Sequence, residues 1–282
     1  MVQNTVEGPQ TAAKMLAVTE SGDRDGPPVV FAHGYACDQN IWRLVAPAFE
    51  DSHRVILFDH VGAGHADRSR WSATSYPDLD AHAGDMVALL DELDLRDALL
   101  VGHSAGAMIS ALASIRRPER VAGLVMLSPS PRYVDDPETG WRGGFSREEV
   151  EELLESIDRN HFAWSVAMAP VIMNAPERPE LAEELSAMYC RTDPDIATHM
   201  ARMTFLSDHR ADLARVPVPA LVLQTRADIV VPEEVGAAMA ATMPRGRMLL
   251  MDAMGHCPQM SAPAETIAAI RDALTAGAAG VG

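Results

Sequence analysis

One serine of this sequence stands in a pattern that is typical of a nucleophile. Ser104 is the central residue of the stretch 102–106, which reads Gly-His-Ser-Ala-Gly. An apolar, strand-like run precedes this stretch, and apolar residues at helical spacing follow it, so we predict Ser104 at a tight strand-to-helix turn. Such a turn exposes the hydroxyl at the carboxyl end of a sheet, beside the free N–H groups of a helix N-terminus. The alternative is a glycine-flanked turn that contains a serine by chance.

Two residues further along the chain have the types that a serine nucleophile needs. A serine hydroxyl attacks a carbonyl group when a base takes its proton, and that base is commonly a histidine oriented by a carboxylate. Asp228 follows the strand-like run 221–227, and His256 follows the run 249–255. Taken singly, Asp228 could begin a turn and His256 could be a loop histidine. Because serine, aspartate and histidine occur in the order of the Gly-x-Ser-x-Gly hydrolases, each after a predicted strand, we predict a catalytic triad of Ser104, Asp228 and His256.

The negative charge that develops on an attacked carbonyl oxygen needs two N–H donors. We predict that one donor is the backbone N–H of Ala105, the residue after the nucleophile. The second is the backbone N–H of Tyr35, in the loop after the predicted strand Val29–Ala32. His33 and His103 could be mistaken for further bases, but we interpret His33 as a loop residue and His103 as a structural or pocket-lining residue. This chemistry requires no metal and no organic cofactor, and we predict none.

The elements that must hold these residues alternate between strands and helices. The predicted strands are 15–19, 29–32, 55–58, 99–101, 121–127, 220–224 and 248–251. Strands that alternate with helices through short connections indicate right-handed crossovers and a parallel sheet that is covered on both faces. The sequence therefore predicts an α/β fold with a mostly parallel sheet of about seven strands.

The alternation is interrupted in the middle of the chain. Residues 131–213 contain no strand-like run and carry several helical patterns rich in methionine, tryptophan and phenylalanine. We predict a core formed by residues 1–130 and 214–282, with 131–213 as a helical insertion rather than an independent domain. Since the insertion leaves the sheet directly after the strand 121–127, it should cover Ser104 and enclose a mostly apolar pocket. The alternative is that its apolar residues form only a small core of their own.

Charge and cysteine content exclude several classes of partner. The chain of 282 residues has a formal net charge of −17, which argues against binding to nucleic acids and anionic membranes. Its three cysteines are widely separated and form no C-x-x-C pair, so neither a zinc site nor a disulfide framework is indicated. Residues 1–10 lack an apolar signal core, and no run is long enough to span a membrane. We expect a soluble cytoplasmic protein that acts on a small molecule.

Longer stretches of the sequence resemble one family. They are 31–42, 102–106, 114–119, 130–133, 207–210 and 255–258. The chain resembles the α/β-hydrolase superfamily over nearly its whole length and, within it, the RsbQ group of bacterial stress-response regulators, which are related to the plant strigolactone and karrikin receptors. The resemblance implies an α/β-hydrolase fold with a four-helix lid inserted after the sixth-strand position. It also implies the same triad and the hydrolysis of a small hydrophobic ester or lactone.

The resemblance further implies the lining of the pocket. By position, the lining residues fall on Tyr35, Tyr133, Phe145, Trp164 and Met168, and we add His103 and Phe205 as predicted lining residues. Tyr35 stands where phenylalanine is usual in the group. Two functions remain open: a stand-alone esterase or lactonase, and a signalling protein that binds or slowly hydrolyses its ligand and regulates a protein partner at the lid.

Overall fold

A seven-stranded sheet runs through the centre of the molecule. The computed structural model describes the backbone of residues 11–279 and the side chains of residues 11–275. The strands are β1 (Thr19–Gly22), β2 (Pro28–Ala32), β3 (Arg54–Leu57), β4 (Ala98–His103), β5 (Val121–Leu127), β6 (Ala220–Arg226) and β7 (Gly246–Met254). Their order is β1-β3-β2-β4-β5-β6-β7, with β1 antiparallel to β3 and the later neighbours parallel. The predicted α/β fold with a mostly parallel sheet of about seven strands is confirmed.

Helices cover both faces of this sheet and extend beyond one of its ends. They are α1 (Ala12–Met15), α2 (Leu79–Glu92), α3 (Ala105–Arg116), α4 (Arg147–Arg159), α5 (His161–Met173), α6 (Pro179–Arg191), α7 (Pro194–Phe205), α8 (Arg210–Leu213), α9 (Glu233–Thr242), α10 (Pro258–Ser261) and α11 (Pro263–Ala279). Every residue of β4 is buried, as expected of a central parallel strand with helices on both faces. No helix in the part of the chain that the structure describes is long and apolar enough to cross a membrane.

Two local predictions are wrong. Of the predicted strand 15–19, Met15 ends a short helix that the Thr11 side chain caps, 16–17 form a turn, and only Thr19 belongs to a strand, β1. Asp38 as a cap and the apolar residues between 41 and 49 predict one helix after Asp38, but the structure has two 3₁₀ turns there, separated by a few residues. Pro47 lies in the first turn of the second one, and its lack of an N–H prevents a continuous helix through this region.

The helical insertion lies between β5 and β6. In chain order β5 is the fifth strand of this sheet rather than the sixth, because four strands precede it among the described residues. Helix α4 begins with a capping box in which the side chains of Ser146 and Glu149 each accept a hydrogen bond from the other's backbone N–H. Helix α5 packs on α6, and α4 packs on α7. Residues 1–10 and 280–282 of the predicted core lie outside the described residues.

The sheet brings the predicted functional residues to one edge. Ser104 follows β4, Asp228 follows β6 and His256 follows β7. The strands β4 to β7 are parallel neighbours, so their carboxyl ends meet at the same edge of the sheet, where ligands of open α/β sheets bind.

Candidate active site

Ser104 lies in a strained turn between β4 and α3. Its backbone has a φ of 53° and a ψ of −122°, which residues other than glycine rarely adopt. An added Cβ at Gly106 would overlap the carbonyl oxygen of His33, and one at Gly102 would overlap the backbone of Ala107. The two flanking glycines therefore allow the close approach of neighbouring backbone that the turn requires.

The structure brings the three residues of the predicted triad into a hydrogen-bonded row. The Nδ1–H of His256 donates to Asp228 Oδ2 at 2.8 Å, and His256 Nε2 lies 3.0 Å from Ser104 Oγ. Because a carboxylate can only accept, the proton of the neutral ring is on Nδ1, and Nε2 is free to accept the serine proton. All three side chains are buried within the described part of the chain.

The environment of Asp228 keeps its carboxyl group ionised. Burial by itself would raise the pKa of Asp228, but the charge of His256 and its hydrogen bond act in the opposite direction. The backbone N–H groups of Val230 and Val231 also donate to Asp228 Oδ1, at 2.8 and 3.2 Å. Together these groups lower the pKa of Asp228 below its ordinary value, so it can stabilise a histidine cation.

The two predicted oxyanion donors lie on either side of Ser104. Ala105 is the first residue of α3, and an added Cβ on Gly34, next to Tyr35, would lie 3.0 Å from Ser104 Cβ. Neither the Tyr35 N–H nor the Ala105 N–H donates a hydrogen bond to another described residue. Two free N–H groups beside the predicted nucleophile are what an oxyanion requires, and their assignment stays a prediction.

A mostly apolar cavity lies over Ser104 and His256. All seven predicted lining residues line it: Tyr35, His103, Tyr133, Phe145, Trp164, Met168 and Phe205. One wall is formed by three rings that contact one another. The Tyr35 ring centroid lies 6.1 Å from that of Trp164 and 5.9 Å from that of Tyr189, and the last two rings are stacked. Burial raises the pKa of Tyr35 and of Tyr189, so both hydroxyls are neutral at physiological pH.

The sequence and the fold match a known family. A family model described as the alpha/beta hydrolase fold matches residues 27–263. The chain belongs to the α/β-hydrolase family. A Pisum sativum protein named strigolactone esterase RMS3 is 36% identical to this hydrolase over 249 residues, which are 88% of this chain and 91% of that protein.

Two further relatives show how widely this hydrolase is matched. The karrikin insensitive 2 receptor CA of Petunia hybrida is 35% identical over 236 residues, 83% of this chain and 87% of that protein. The solved structure of a hydrolase from Oleispira antarctica superposes with a TM-score of 0.90 at 34% identity, covering 94% of this chain and 96% of that one. These relatives match most of both chains, so the likeness includes the insertion as well as the sheet.

Six residues that line the cavity were not predicted from the sequence. They are Leu153, Ile172, Tyr189, Thr204, Ile229 and Val230. Ile172 could have been found, because it follows Trp164 by eight and Met168 by four residues, which is the spacing of one helix face. The position of Tyr189 depends on how α6 packs against α5, for which no signal exists in its own sequence.

Tyr133 contacts Ser104, a position that the sequence did not predict for it. Burial raises the pKa of Tyr133 to about 12, although its hydrogen bond with Ser104 lowers it. The hydroxyl is therefore neutral at physiological pH and lies beside the serine oxygen.

The surroundings of His33 and Cys257 disfavour a catalytic role for either residue. His33 donates through Nδ1 to Gly34 O at 2.9 Å and accepts the His60 N–H at Nε2, so backbone groups occupy both nitrogens. Burial raises the pKa of the Cys257 thiol, which disfavours a thiolate nucleophile. Within the described residues, no group of three or more histidine, cysteine, aspartate or glutamate side chains could hold a metal ion.

Proposed function

We propose that this chain hydrolyses a small, hydrophobic ester or lactone through a triad of Ser104, His256 and Asp228. The observation that carries the proposal is the hydrogen-bonded row, 3.0 Å from His256 Nε2 to Ser104 Oγ and 2.8 Å from His256 Nδ1 to Asp228, at the base of an apolar cavity. The relatives that are named strigolactone esterase and karrikin receptor support a small organic ligand.

The proposed reaction proceeds in two acyl-transfer steps. As Ser104 Oγ attacks the carbonyl carbon, His256 Nε2 takes its proton and the backbone N–H groups of Tyr35 and Ala105 hold the oxyanion. Asp228 stabilises the histidine cation, which then protonates the leaving oxygen and releases an alcohol, or opens the ring of a lactone. A water molecule deprotonated by His256 hydrolyses the acyl-enzyme and restores Ser104. The reaction uses protein groups and water alone.

The insertion supplies the specificity in this proposal. Residues 131–213 would act as a lid over a core of residues 1–130 and 214–282, because α4 to α7 contribute about half of the cavity lining. These contributions are Leu153, Trp164, Met168, Ile172, Tyr189, Thr204 and Phe205. Their apolar and aromatic surfaces favour a hydrophobic acyl or alkoxy group over a charged one.

The three cysteines, all free thiols in the described residues, support a reducing compartment and hence the cytoplasm.

Mass spectrometry of the intact protein tests the proposed function. The protein is exposed to a panel of esters and lactones and to a fluorophosphonate, with Ser104→Ala as the matched control. We expect a mass increase equal to the acyl or phosphonyl group on the wild-type protein, located at Ser104 by peptide mapping, and no increase on the control. Adducts on both proteins, or turnover of any ester by the control at the wild-type rate, would exclude Ser104 as the nucleophile.

A second candidate function is that of an RsbQ-like signalling protein with a protein partner at the lid. The observation in its favour is the outer face of α5, where Phe162 and Val166, one turn apart, are 52% and 62% exposed. Large apolar side chains that lie side by side on an exposed helix face can form part of an interaction surface. Very slow turnover, together with a ligand-dependent complex that Phe162→Asp and Val166→Asp abolish, would favour this function. Fast turnover of many short acyl esters would favour the stand-alone hydrolase.

A further inference from the structure

The backbone of His256 is held from two sides. Its N–H donates to the carbonyl oxygen of Ile172 at 2.9 Å, and its own carbonyl oxygen lies 2.9 Å from His103 Nε2. Ile172 belongs to α5 of the insertion, whereas His103 is the last residue of β4 and directly precedes Ser104. The peptide groups on either side of the His256 Cα are therefore fixed by two parts of the fold that are distant in sequence.

Among the described residues, the ring of His103 makes one hydrogen bond, to the carbonyl oxygen of His256. A carbonyl oxygen can only accept, so His103 Nε2 carries the proton and Nδ1 carries a lone pair. Burial lowers the pKa of His103 to about 3, so the ring is neutral at physiological pH. Its Nδ1 is buried and has no hydrogen-bond partner among the described residues. An aliphatic side chain would fill this space without burying an unpaired nitrogen, so packing does not explain a histidine here.

The position of the His256 backbone controls both bonds of the triad. The ring must keep Nε2 within 3.0 Å of Ser104 and Nδ1 within 2.8 Å of Asp228 at the same time. A shift of the backbone that improves one of these contacts lengthens the other, because the two nitrogens lie on opposite sides of one rigid ring. The centroids of the His103 and His256 rings are 4.9 Å apart, so the two rings are in contact.

We propose that His103 is a positioning residue for the reaction: its Nε2–H holds the carbonyl oxygen of His256, so that the His256 ring meets Ser104 and Asp228 together. This inference rests on the proposed hydrolase function, in which His256 is the base. In this proposal His103 neither contacts the reacting atoms nor transfers a proton.

Two substitutions of similar polarity separate positioning from packing. The side-chain nitrogen of glutamine can occupy the place of Nε2 in histidine, whereas that of asparagine reaches only as far as Nδ1. We compare His103→Gln with His103→Asn in the hydrolysis of p-nitrophenyl acetate. We expect His103→Asn to lower kcat about 10- to 100-fold with KM within about threefold of wild type, because a displacement near 1 Å costs about that much. We expect His103→Gln to keep kcat within about fivefold.

Several results would overturn the positioning role. They are an equal loss of kcat in both variants, an asparagine variant as active as the wild type, and a rise in KM at unchanged kcat. Proton NMR supplies a second readout: the far-downfield signal of the His256–Asp228 hydrogen bond should persist in His103→Gln and broaden or vanish in His103→Asn. If His103→Asn does not fold, His103→Gln decides alone, since a larger than fivefold loss of kcat in a folded protein contradicts the proposal.

The Ser104→Ala variant, measured in the same assay, separates this inference from the proposed function. If Ser104→Ala keeps its activity, the hydrolase function itself fails. If Ser104→Ala is inactive while the glutamine and asparagine variants of His103 behave alike, the hydrolase function stands and the positioning role of His103 fails.

Discussion

Different forces hold the floor and the roof of the cavity: hydrogen bonds join the residues of the floor, and apolar packing joins those of the roof. On the floor, Ser104, His256 and Asp228 are joined by hydrogen bonds of 3.0 and 2.8 Å. On the roof, which the helices α4 to α7 form, Trp164 and Tyr189 meet through stacked rings with centroids 5.9 Å apart. Hydrogen bonds weaken steeply with distance and angle, whereas apolar packing tolerates other side chains of similar volume.

This contrast separates the chemistry of the site from its selectivity. A small displacement on the floor breaks a bond that the reaction needs, so substitutions there should lower the rate by orders of magnitude. A change on the roof alters the shape of an apolar surface, so it should redistribute activity among substrates. The floor also depends on the roof at one point, because the N–H of His256 donates to the carbonyl oxygen of Ile172 in α5.

Ser104→Ala should have the largest effect on the floor. Removing the hydroxyl removes the proposed nucleophile, so we expect kcat/KM for a short acyl ester to fall by about four to six orders of magnitude. The melting temperature should change little, because alanine fills the same turn with one atom fewer. An ester-hydrolysis assay with calorimetry checks both expectations. If the variant keeps activity near the wild-type level, the floor does not carry the chemistry, and the proposed division between floor and roof is wrong.

Gly255→Ala tests the contact between the floor and the insertion. Gly255 has a φ of 78°, and an added Cβ would overlap the carbonyl oxygen of Met173 at the end of α5. The backbone next to His256 must therefore shift, and we expect kcat to fall about 100-fold. Gly140→Ala is the matched control, since Gly140 has a φ of 74° but an added Cβ would meet no atom within 4 Å.

Comparing kcat and stability in the two glycine variants separates the effect of backbone strain from that of the contact with α5. Gly140→Ala should cost stability through backbone strain, about 1 kcal/mol, and leave kcat unchanged. If both variants lower kcat equally, backbone strain and not the contact with α5 explains the loss. Denaturant unfolding and steady-state kinetics provide the two measurements.

Trp164→Ala tests the roof. The indole forms part of the wall with Tyr35 and Tyr189, so its loss enlarges the cavity and should favour bulkier acyl groups. We expect the ratio of kcat/KM between a bulky and a short acyl ester to change about tenfold, with a smaller change in the rate for the short ester. Phe162→Ala, on the exposed side of the same helix, should leave this ratio unchanged. An unchanged ratio in Trp164→Ala would mean that the indole packs only within the insertion.

Arg210→Ala should have the smallest effect and should depend on pH. Arg210 donates to Asp208 and Asp136 near the base of the insertion, and its hydrogen bond with Asp208 lowers the pKa of that carboxyl well below the ordinary value. A lowered carboxyl pKa adds stability above the ordinary pKa and loses it as the pH falls through the lowered one. We expect about 1 kcal/mol between wild type and variant at pH 7.

Unfolding in urea as a function of pH measures this difference. It should shrink as the pH falls below the ordinary carboxyl range, because protonated carboxyl groups no longer attract the guanidinium. Arg215→Ala is the control: Arg215 is 65% exposed and, among the described residues, pairs with Asp212 alone, so its effect should stay below about 0.5 kcal/mol. A difference for Arg210→Ala that grows toward low pH would contradict the sign of the pKa change.

The sequence predicted those parts of the site that depend on residues only a few positions apart in the chain. The turn at Ser104 follows from two glycines that flank a serine between a strand and a helix. Asp228 and His256 were found because each directly follows a strand-like run. The strand predicted at 15–19 failed for a related reason, since the cap by Thr11 competes with a short apolar run that reads equally well as a strand.

Sequence alone determined the α/β class, the sheet of about seven strands and the identity of the three residues that meet at its edge. These follow from short-range patterns, because the period of apolar residues and the glycines of a turn act within a few positions. Tertiary structure alone decided that Tyr189 lines the cavity and that His103 and Ile172 hold His256. Such contacts join residues far apart in the chain, and they depend on how helices pack on one another and on the sheet, which no local pattern specifies.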